Sequence, residues 1–275
     1  MKTQKVILIT GASSGMGKDA ALTLIKEGHI VYGAARRVEK MKELEAAGGH
    51  ALAMDITKED QVIAAVNQVI QENGRIDVLV NNAGYAVYGA VEDTDMNDAR
   101  RQFEVNLFGL ARLTQEVLPH MREQHSGKII NITSIGGKIY TPLGAWYHAT
   151  KHALEGWSDC LRLEVKGFGI DVVIVEPGAI QTEFGDVMMQ PMIDRSSKGP
   201  YADITNKFTN AISRAFEKGD SSPASVISNV ISKAIQSNKP KTRYAKGKYA
   251  GPMLFMRRWL SDRAFDRVLM SQFVK

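Results

Sequence analysis

Residues 5–17 read Lys5-Val6-Ile7-Leu8-Ile9-Thr10-Gly11-Ala12-Ser13-Ser14-Gly15-Met16-Gly17. The first six form a short apolar run of the kind that makes a buried strand. The next seven are a glycine-rich turn, and Lys18 to Glu27 continue in a helical pattern. Strand, glycine turn and helix start together give the context that a phosphate needs. Glycines let the backbone approach a pyrophosphate, and the unpaired N–H groups of the helix's first turn point at it. The dinucleotide fingerprint GxGxxG/A falls on Gly15, Gly17 and Ala20, and Gly11 extends it to TGxxxGxG.

A second apolar run spans His29 to Ala35 and ends Gly33-Ala34-Ala35-Arg36-Arg37, without a carboxylate. A site for NAD usually carries an acid about 20 residues past the glycines, where it accepts from the ribose 2′-OH. Arginine there suits a 2′-phosphate through charge-assisted, bidentate hydrogen bonds. Arg36 and Arg37 therefore favour NADP(H) as cofactor, with NAD(H) as the alternative. Strand and helix signals alternate from Lys5 to about Val175 with no linker between them. A chain of 275 residues could hold one large domain or two small ones, and the unbroken alternation selects one, 1–275. The expected fold class is α/β, a single-domain Rossmann-type doubly wound parallel sheet with helices on both faces.

Tyr147 and Lys151 stand four residues apart in Ala145-Trp146-Tyr147-His148-Ala149-Thr150-Lys151. On a helix they share a face. An ammonium beside a phenol favours the phenolate and lowers the tyrosine's pKa from about 10. A tyrosine so tuned exchanges protons near neutral pH.

Together these motifs resemble the short-chain dehydrogenase/reductase family over residues 4 to 182. Thr10 to Gly17 is similar to its cofactor loop, Asp55 to the aspartate at the adenine, and Asn81-Asn82-Ala83-Gly84 to its NNAG motif. Asn106, Ser134, Tyr147 and Lys151 match its catalytic residues, and Pro177-Gly178 with Thr182 matches the segment over the nicotinamide. The resemblance implies cofactor contacts at Gly11, Ser13, Ser14, Gly15, Met16, Gly17, Asp55, Ile56, Asn82, Ala83, Gly84, Tyr147, Lys151, Pro177, Gly178, Ile180 and Thr182. It implies Tyr147 as general acid and base, and Ser134 as hydrogen-bond partner of the substrate oxygen. Lys151 would bind the ribose and lower the Tyr147 pKa, and Asn106 would hold a water leading to solvent. It also implies a homodimer or homotetramer, paired through segments Asp98–Gln124 and Tyr147–Gly167. A non-catalytic dinucleotide sensor is the competing class, but such proteins typically lack the tyrosine or the lysine.

Cys160 is the only cysteine, so no intrachain disulfide can form. No apolar run approaches the roughly 18 residues of a membrane span, and Val6 to Ile9 is too short for a signal-peptide core. A cytoplasmic protein fits these features. No metal-ligand spacing is present. Net charge is +5, unevenly spread. Residues 239–275 carry ten Lys/Arg against two acids, which gives +8 and leaves −3 for residues 1–238. No nucleic-acid recognition motif accompanies this charge. Two readings of the basic, amphipathic extension at about 247–275 follow. It is a helical cover with Phe255, Trp259 and Phe265 beneath, or a helix in weak contact with a membrane surface. The cover is the favoured expectation.

Residues 183–222 are expected to form a flap over the substrate, with Phe184, Val187, Met188, Met189, Met192, Ile193, Tyr201 and Phe208 as an apolar, adaptable wall. Gly185, Gly199 and Gly219 would be its flexible points. Tyr85, Val87, Tyr88, Ile139, Tyr140 and Leu143 would face it, and Arg195 and Lys198 read as solvated charges. The expected substrate is a small hydrophobic ketone, aldehyde or alcohol, with NAD-dependent alcohol oxidation as the alternative. The long tail after Arg243-Tyr244 is similar to the hydroxysteroid and retinol dehydrogenase branch, which implies steroid-, retinoid- or lipid-like substrates.

Overall fold

A computed structural model describes residues 3–273, except the side chains of Phe184, Asp186, Phe216 and Glu217. Lys275 of the basic tail also lies outside the described residues. The chain begins β1 (Val6–Thr10), α1 (Gly15–Lys26), β2 (Ile30–Ala35), α2 (Lys42–Ala46), β3 (His50–Ala53), α3 (Glu59–Asn73) and β4 (Val78–Asn81). It continues through α4 (Met96–Phe103), a π turn (Glu104–Phe108), α5 (Gly109–Glu123), β5 (Gly127–Ile132), α6 (Ala145–Val165) and β6 (Ile170–Pro177). After these come α7 (Phe184–Ser196), α8 (Ala202–Glu217), α9 (Ser225–Gln236), β7 (Arg243–Lys246), α10 (Ala250–Trp259) and α11 (Asp262–Ser271).

The seven strands form one sheet in the order β3-β2-β1-β4-β5-β6-β7, every pair parallel. β1 is buried along its whole length, as a strand covered on both faces must be. On one face Ala20, Ala21 and Leu24 of α1 and Ile227, Ile231 and Ala234 of α9 pack on Ile7, Ile9, Val78 and Val80. On the other, α3, α5 and α6 bring Val66, Val117 and Leu161 against Leu8, Leu79, Ile129 and Val172. The chain winds outward one way through β2 and β3, then returns to β4 and winds the other way. The reversal between β1 and β4 opens a crevice at the strands' carboxyl ends, where open parallel sheets bind ligands. The register Ile9↔Gly33 and Ile9↔Val80 brings the ends of β1, β2 and β4 level there.

A third cluster lies beyond the sheet. Tyr88, Ile139 and Tyr147 meet Met188 and Met192 of α7, Phe208 of α8, Phe265 and Leu269 of α11, and Phe273. Part of the C-terminal extension therefore covers the domain, as expected. The rest does not. Phe265 is 0% exposed, but Phe255 and Trp259 are 66% and 68% exposed. Met253, Leu254 and Met256 of α10 pack inward, with Leu260 just past its end, and Phe255 and Trp259 lie on a different face of that helix.

The segment Asp98 to Gln124 is not one unbroken α-helix. The π turn interrupts it, with the Gly109 N–H bonded to the Glu104 carbonyl. Such turns insert one residue and re-aim a side chain, and the residue carried here is Asn106. Arg195 is not a solvated charge. Its guanidinium donates to the Tyr88 carbonyl at 3.0 Å and pairs with Asp98 at 2.5 Å, tying α7 to α4 and the loop before it. Among the described residues no helix is long and apolar enough to cross a membrane.

Candidate active site

The glycine turn is locked to the end of β4. Thr10 Oγ1 accepts the backbone N–H groups of Asn82 (3.0 Å) and Ala83 (2.9 Å), and the Asn82 amide donates to the Thr10 carbonyl at 3.0 Å. Gly11 has φ +69°, and a Cβ there would stand 2.9 Å from Asn82 Nδ2. At Gly17 a Cβ would stand 2.4 Å from both Asn82 Nδ2 and the Gly11 carbonyl. Both positions therefore require glycine. Ser14, the residue before α1, makes no side-chain cap, and the first turn of α1 holds no acid. The first amides of a helix have no intrahelical partner and sit at its positive end. This cradle fits a pyrophosphate.

A cleft of about 720 Å³ runs from this turn along the strand ends. Gly11, Ser13, Ser14, Gly15 and Met16 line it, followed by Arg36, Arg37, Asp55, Ile56, Asn82, Ala83 and Gly84. Ser134, Tyr147, Pro177, Gly178, Ile180 and Thr182 line the same cleft. Three residues expected at the site stand behind its wall. Gly17 is one. Asn106 is held there by its amide, which donates to the Tyr85 carbonyl (2.9 Å) and Thr150 Oγ1 (3.1 Å) and accepts the Tyr85 N–H (3.1 Å). Lys151 is the third, its Nζ donating to the Ile132 carbonyl at 3.0 Å. Asn106 and Lys151 flank the same spot, since a Cβ on Gly84 would lie 3.2 Å from Asn106 Oδ1 and 3.7 Å from Lys151 Nζ.

At the adenosine end, burial raises the Asp55 carboxyl, but hydrogen bonds from the Thr57 N–H (3.0 Å) and hydroxyl (2.8 Å) outweigh it. With the charges of Arg36 and Arg101 they hold the group below the usual range. Arg37 faces Glu183 across the cleft at 3.8 Å.

Tyr147 is buried at the base of the cleft. Burial pushes its phenol up, and a hydrogen bond with Ser134 pulls it partly back. Lys151 is pushed down to about 8 by burial, with Glu155 working against the fall. The expected lowering of Tyr147 is thus overturned. Desolvation, which penalises the charged form of both residues, dominates, and the lowering contact comes from Ser134 rather than Lys151.

His148, Glu155 and Glu176 carried no recognised sequence signal, whereas Tyr88 was expected at the flap. His148, beside Tyr147, accepts the Thr141 N–H on Nε2 (3.0 Å), so its Nδ1 donates to the Gly136 carbonyl (2.9 Å). Burial holds this imidazole below its usual pKa. It staples the loop between Ser134 and α6. Tyr88 lies 5.8 Å from Tyr147, ring centroid to ring centroid, and burial pushes its phenol up. Of the residues expected to face the flap, Tyr85, Tyr88 and Ile139 line the cleft, but Val87, Tyr140 and Leu143 do not. From the flap, Gly185, Val187, Met188, Ile212 and Ala215 line it, while Met192 and Phe208 pack behind. Tyr249 closes one side, its hydroxyl donating to Asp220 at 2.6 Å. Behind Lys151, Glu155 and Glu176 are 2% and 4% exposed. Arg243 reaches both, at 3.1 Å and 3.6 Å, and Lys138 reaches Glu155 at 3.1 Å.

A sheet wound in this order, with this loop and this tyrosine at its strand ends, defines a nucleotide-dependent oxidoreductase. The short chain dehydrogenase family model matches residues 5–191, and the chain belongs to the short-chain dehydrogenase/reductase family. It is 46% identical over 183 residues to a 3-ketodihydrosphingosine reductase of Bacteroides thetaiotaomicron, a stretch covering 66% of each chain. Among solved structures, a short-chain dehydrogenase from Streptomyces avermitilis superposes with a TM-score of 0.81 at 35% identity, covering 98% of this chain and 96% of that one. A 3-ketoacyl-(acyl-carrier-protein) reductase from Brucella melitensis, complexed with NADH, gives 0.73 at 26% identity, covering 88% and 96%. The family binds NAD(H) or NADP(H) and acts on CH–OH groups.

Proposed function

We propose that this chain is an NADP(H)-dependent oxidoreductase that interconverts a hydrophobic ketone or aldehyde and its alcohol. One observation carries the reading: Ser134 and Tyr147, hydrogen-bonded to each other, line the same cleft as the glycine turn and the two arginines at the end of β2. A dinucleotide held in this cleft would supply or accept the hydride. In reduction Tyr147 gives its phenolic proton to the developing alkoxide, and in oxidation it takes that proton back. A phenol with a raised pKa is in its donating form at neutral pH. Ser134 hydrogen-bonds the substrate oxygen and holds it against that phenol. Lys151 would bind the ribose hydroxyls, and Asn106 would hold the water through which the proton is replaced.

Arg36 and Arg37 line the cleft where a 2′-phosphate would lie, and no carboxylate stands on that strand end. The NADH complex of the Brucella relative keeps NAD(H) as the alternative. Tyr88, Ile139, Val187, Met188 and Ile212 give the substrate end an apolar wall. That wall suits a steroid, retinoid or lipid ketone, and the relative named for 3-ketodihydrosphingosine favours the lipid. Residues 183–222 act as the flap of one domain spanning 1–275. The exposed Phe108 and Leu163, on the segments running into α5 and along α6, support pairing into a homodimer or homotetramer. A cytoplasmic location completes the reading.

The test is a panel of steroids, retinoids, acyl ketones and small aldehydes scored by loss of NADPH absorbance. Turnover of an apolar ketone with NADPH faster than with NADH is expected. Cofactor binding without turnover of any panel member would instead favour a dinucleotide sensor, and faster NADH turnover would overturn the cofactor assignment.

A further inference from the structure

We infer that the outward face of α10 seats this protein on an anionic lipid surface, with the cleft mouth beside the bilayer. The inference rests on the cleft taking a lipid-like carbonyl compound. Its physical basis is separate. Pro252, Phe255 and Trp259 recur at i, i+3 and i+7 and are all exposed, so they form one stripe along the helix. The Phe255 and Trp259 rings lie 6.4 Å apart, and the Arg258 guanidinium sits 5.7 Å from the Trp259 ring. Trp and Phe on one face of a helix with arginine at its edge is the composition that settles in the headgroup layer.

The charge around the stripe selects the partner. Lys246, Arg258, Arg263 and Arg267 are exposed, and none of them pairs with an acid among the described residues. The sequence from 239 onward carries +8, whereas residues 1–238 carry −3. An anionic surface would therefore draw the molecule in tail first. The position of α10 fits the substrate. Its preceding residue, Tyr249, lines the cleft, as does the exposed Val187 of α7. Docking on α10 would open the cleft toward the layer in which a lipid ketone is dissolved.

The experiment is co-sedimentation of the full-length protein with phosphatidylcholine vesicles, with and without phosphatidylglycerol, in the absence of substrate. The expected result is binding to the anionic vesicles at least about tenfold above the neutral ones. Binding should fall as NaCl rises from about 0.1 M to about 1 M, where the screening length shrinks from about 10 Å to about 3 Å. The double variant Phe255→Ser, Trp259→Ser should lose binding about tenfold or more at an unchanged melting temperature, since both side chains are exposed. Wild-type tryptophan emission should shift blue on vesicle addition, and the shift should vanish in the variant. Absence of vesicle binding, or equal binding by the variant, would overturn the inference. So would a variant that breaks apart a self-associated species, because the face would then belong to a second copy. No turnover enters this assay, so its failure is distinct from failure of the substrate panel.

Discussion

Replacing Glu176 with glutamine should stabilise the protein at alkaline pH and leave it nearly unchanged at acid pH. Glu176 sits on β6 just before Pro177 and Gly178, and it is almost wholly buried. Burial raises its carboxyl to about 7, helped by the charge of Glu155 and a hydrogen bond with it. Arg243 and Lys138 oppose the rise. Glutamate in an unfolded chain titrates near 4.3, and each pKa unit is worth about 1.4 kcal/mol. Ionising Glu176 in the folded chain therefore costs about 4 kcal/mol more than in the unfolded chain. The folded state holds this proton more tightly, so the contribution is full below the unfolded pKa. It is lost as pH rises toward and through about 7. Glutamine mimics the protonated acid in shape and can still donate to Glu155. Urea unfolding of wild type and Glu176→Gln at about pH 5 and about pH 8 measures the difference. A difference of only about 1 kcal/mol at the lower pH and an advantage of about 4 kcal/mol for the variant at the higher pH are expected. Such a gap is large against a whole-protein stability of about 5–15 kcal/mol. Parallel curves, or a variant less stable at the higher pH, would refute the reasoning. Either result would mean that Arg243 and Lys138 hold Glu176 ionised.

Tyr147→Phe should cut turnover at least about a hundredfold, the usual scale of general acid catalysis, with NADPH affinity retained by fluorescence titration. Lys151→Met should damage both. Arg36→Asp should move preference from NADPH toward NADH in initial-rate assays, through repulsion of a 2′-phosphate and acceptance from a 2′-OH. The reductive rate should decline as pH rises past about 8, where Lys151 loses its proton. A pH profile flat well beyond that value would contradict the role of Lys151. Phe265→Ala should cost about 3–5 kcal/mol of stability by emptying a fully buried site, whereas Phe255→Ser should stay within about 0.5 kcal/mol. Equal effects in denaturant titration would contradict the different placement of the two rings.

What was legible in the sequence was local. The strand, turn and helix from Lys5 to Glu27 are encoded by neighbouring residues, and the structure forms them within a few residues of the expected bounds. The parallel sheet followed from the alternation of strand and helix, because parallel neighbours need crossover connections. What was not legible depends on contacts between distant segments. Glu155, Glu176 and Arg243 come from α6, β6 and β7, and nothing in their spacing shows that they share one buried site. The tail illustrates the same limit at shorter range. Its composition announced an amphipathic cover, but α10 carries two apolar stripes, and only the third cluster decides which of them is buried. Arg195 read as solvated because its neighbours in the chain are polar, yet its partners are Tyr88 and Asp98, about a hundred residues away.

The Tyr147–Lys151 pair shows why correct spacing can give the wrong direction of pKa shift. An i,i+4 reading sees an ammonium beside a phenol and infers that the phenolate is favoured. That inference holds where solvent hydrates both groups. On α6 both residues are buried, and removal from water penalises the phenolate and the ammonium alike. The phenol accordingly moves up and the ammonium moves down. Each residue is then steadied by a different neighbour, Tyr147 by Ser134 and Lys151 by Glu155. Glu155 in turn is shared with Arg243, Lys138 and the Thr133 hydroxyl, which bonds it at 2.6 Å one residue before Ser134. The proton poise of the site is therefore set by burial, opposed at Tyr147 by Ser134 and at Lys151 by Glu155, which a charge cluster from α6, β6, β7 and the loop at Lys138 holds in place. The four-residue motif supplies the reacting groups, and the fold supplies their pKa values.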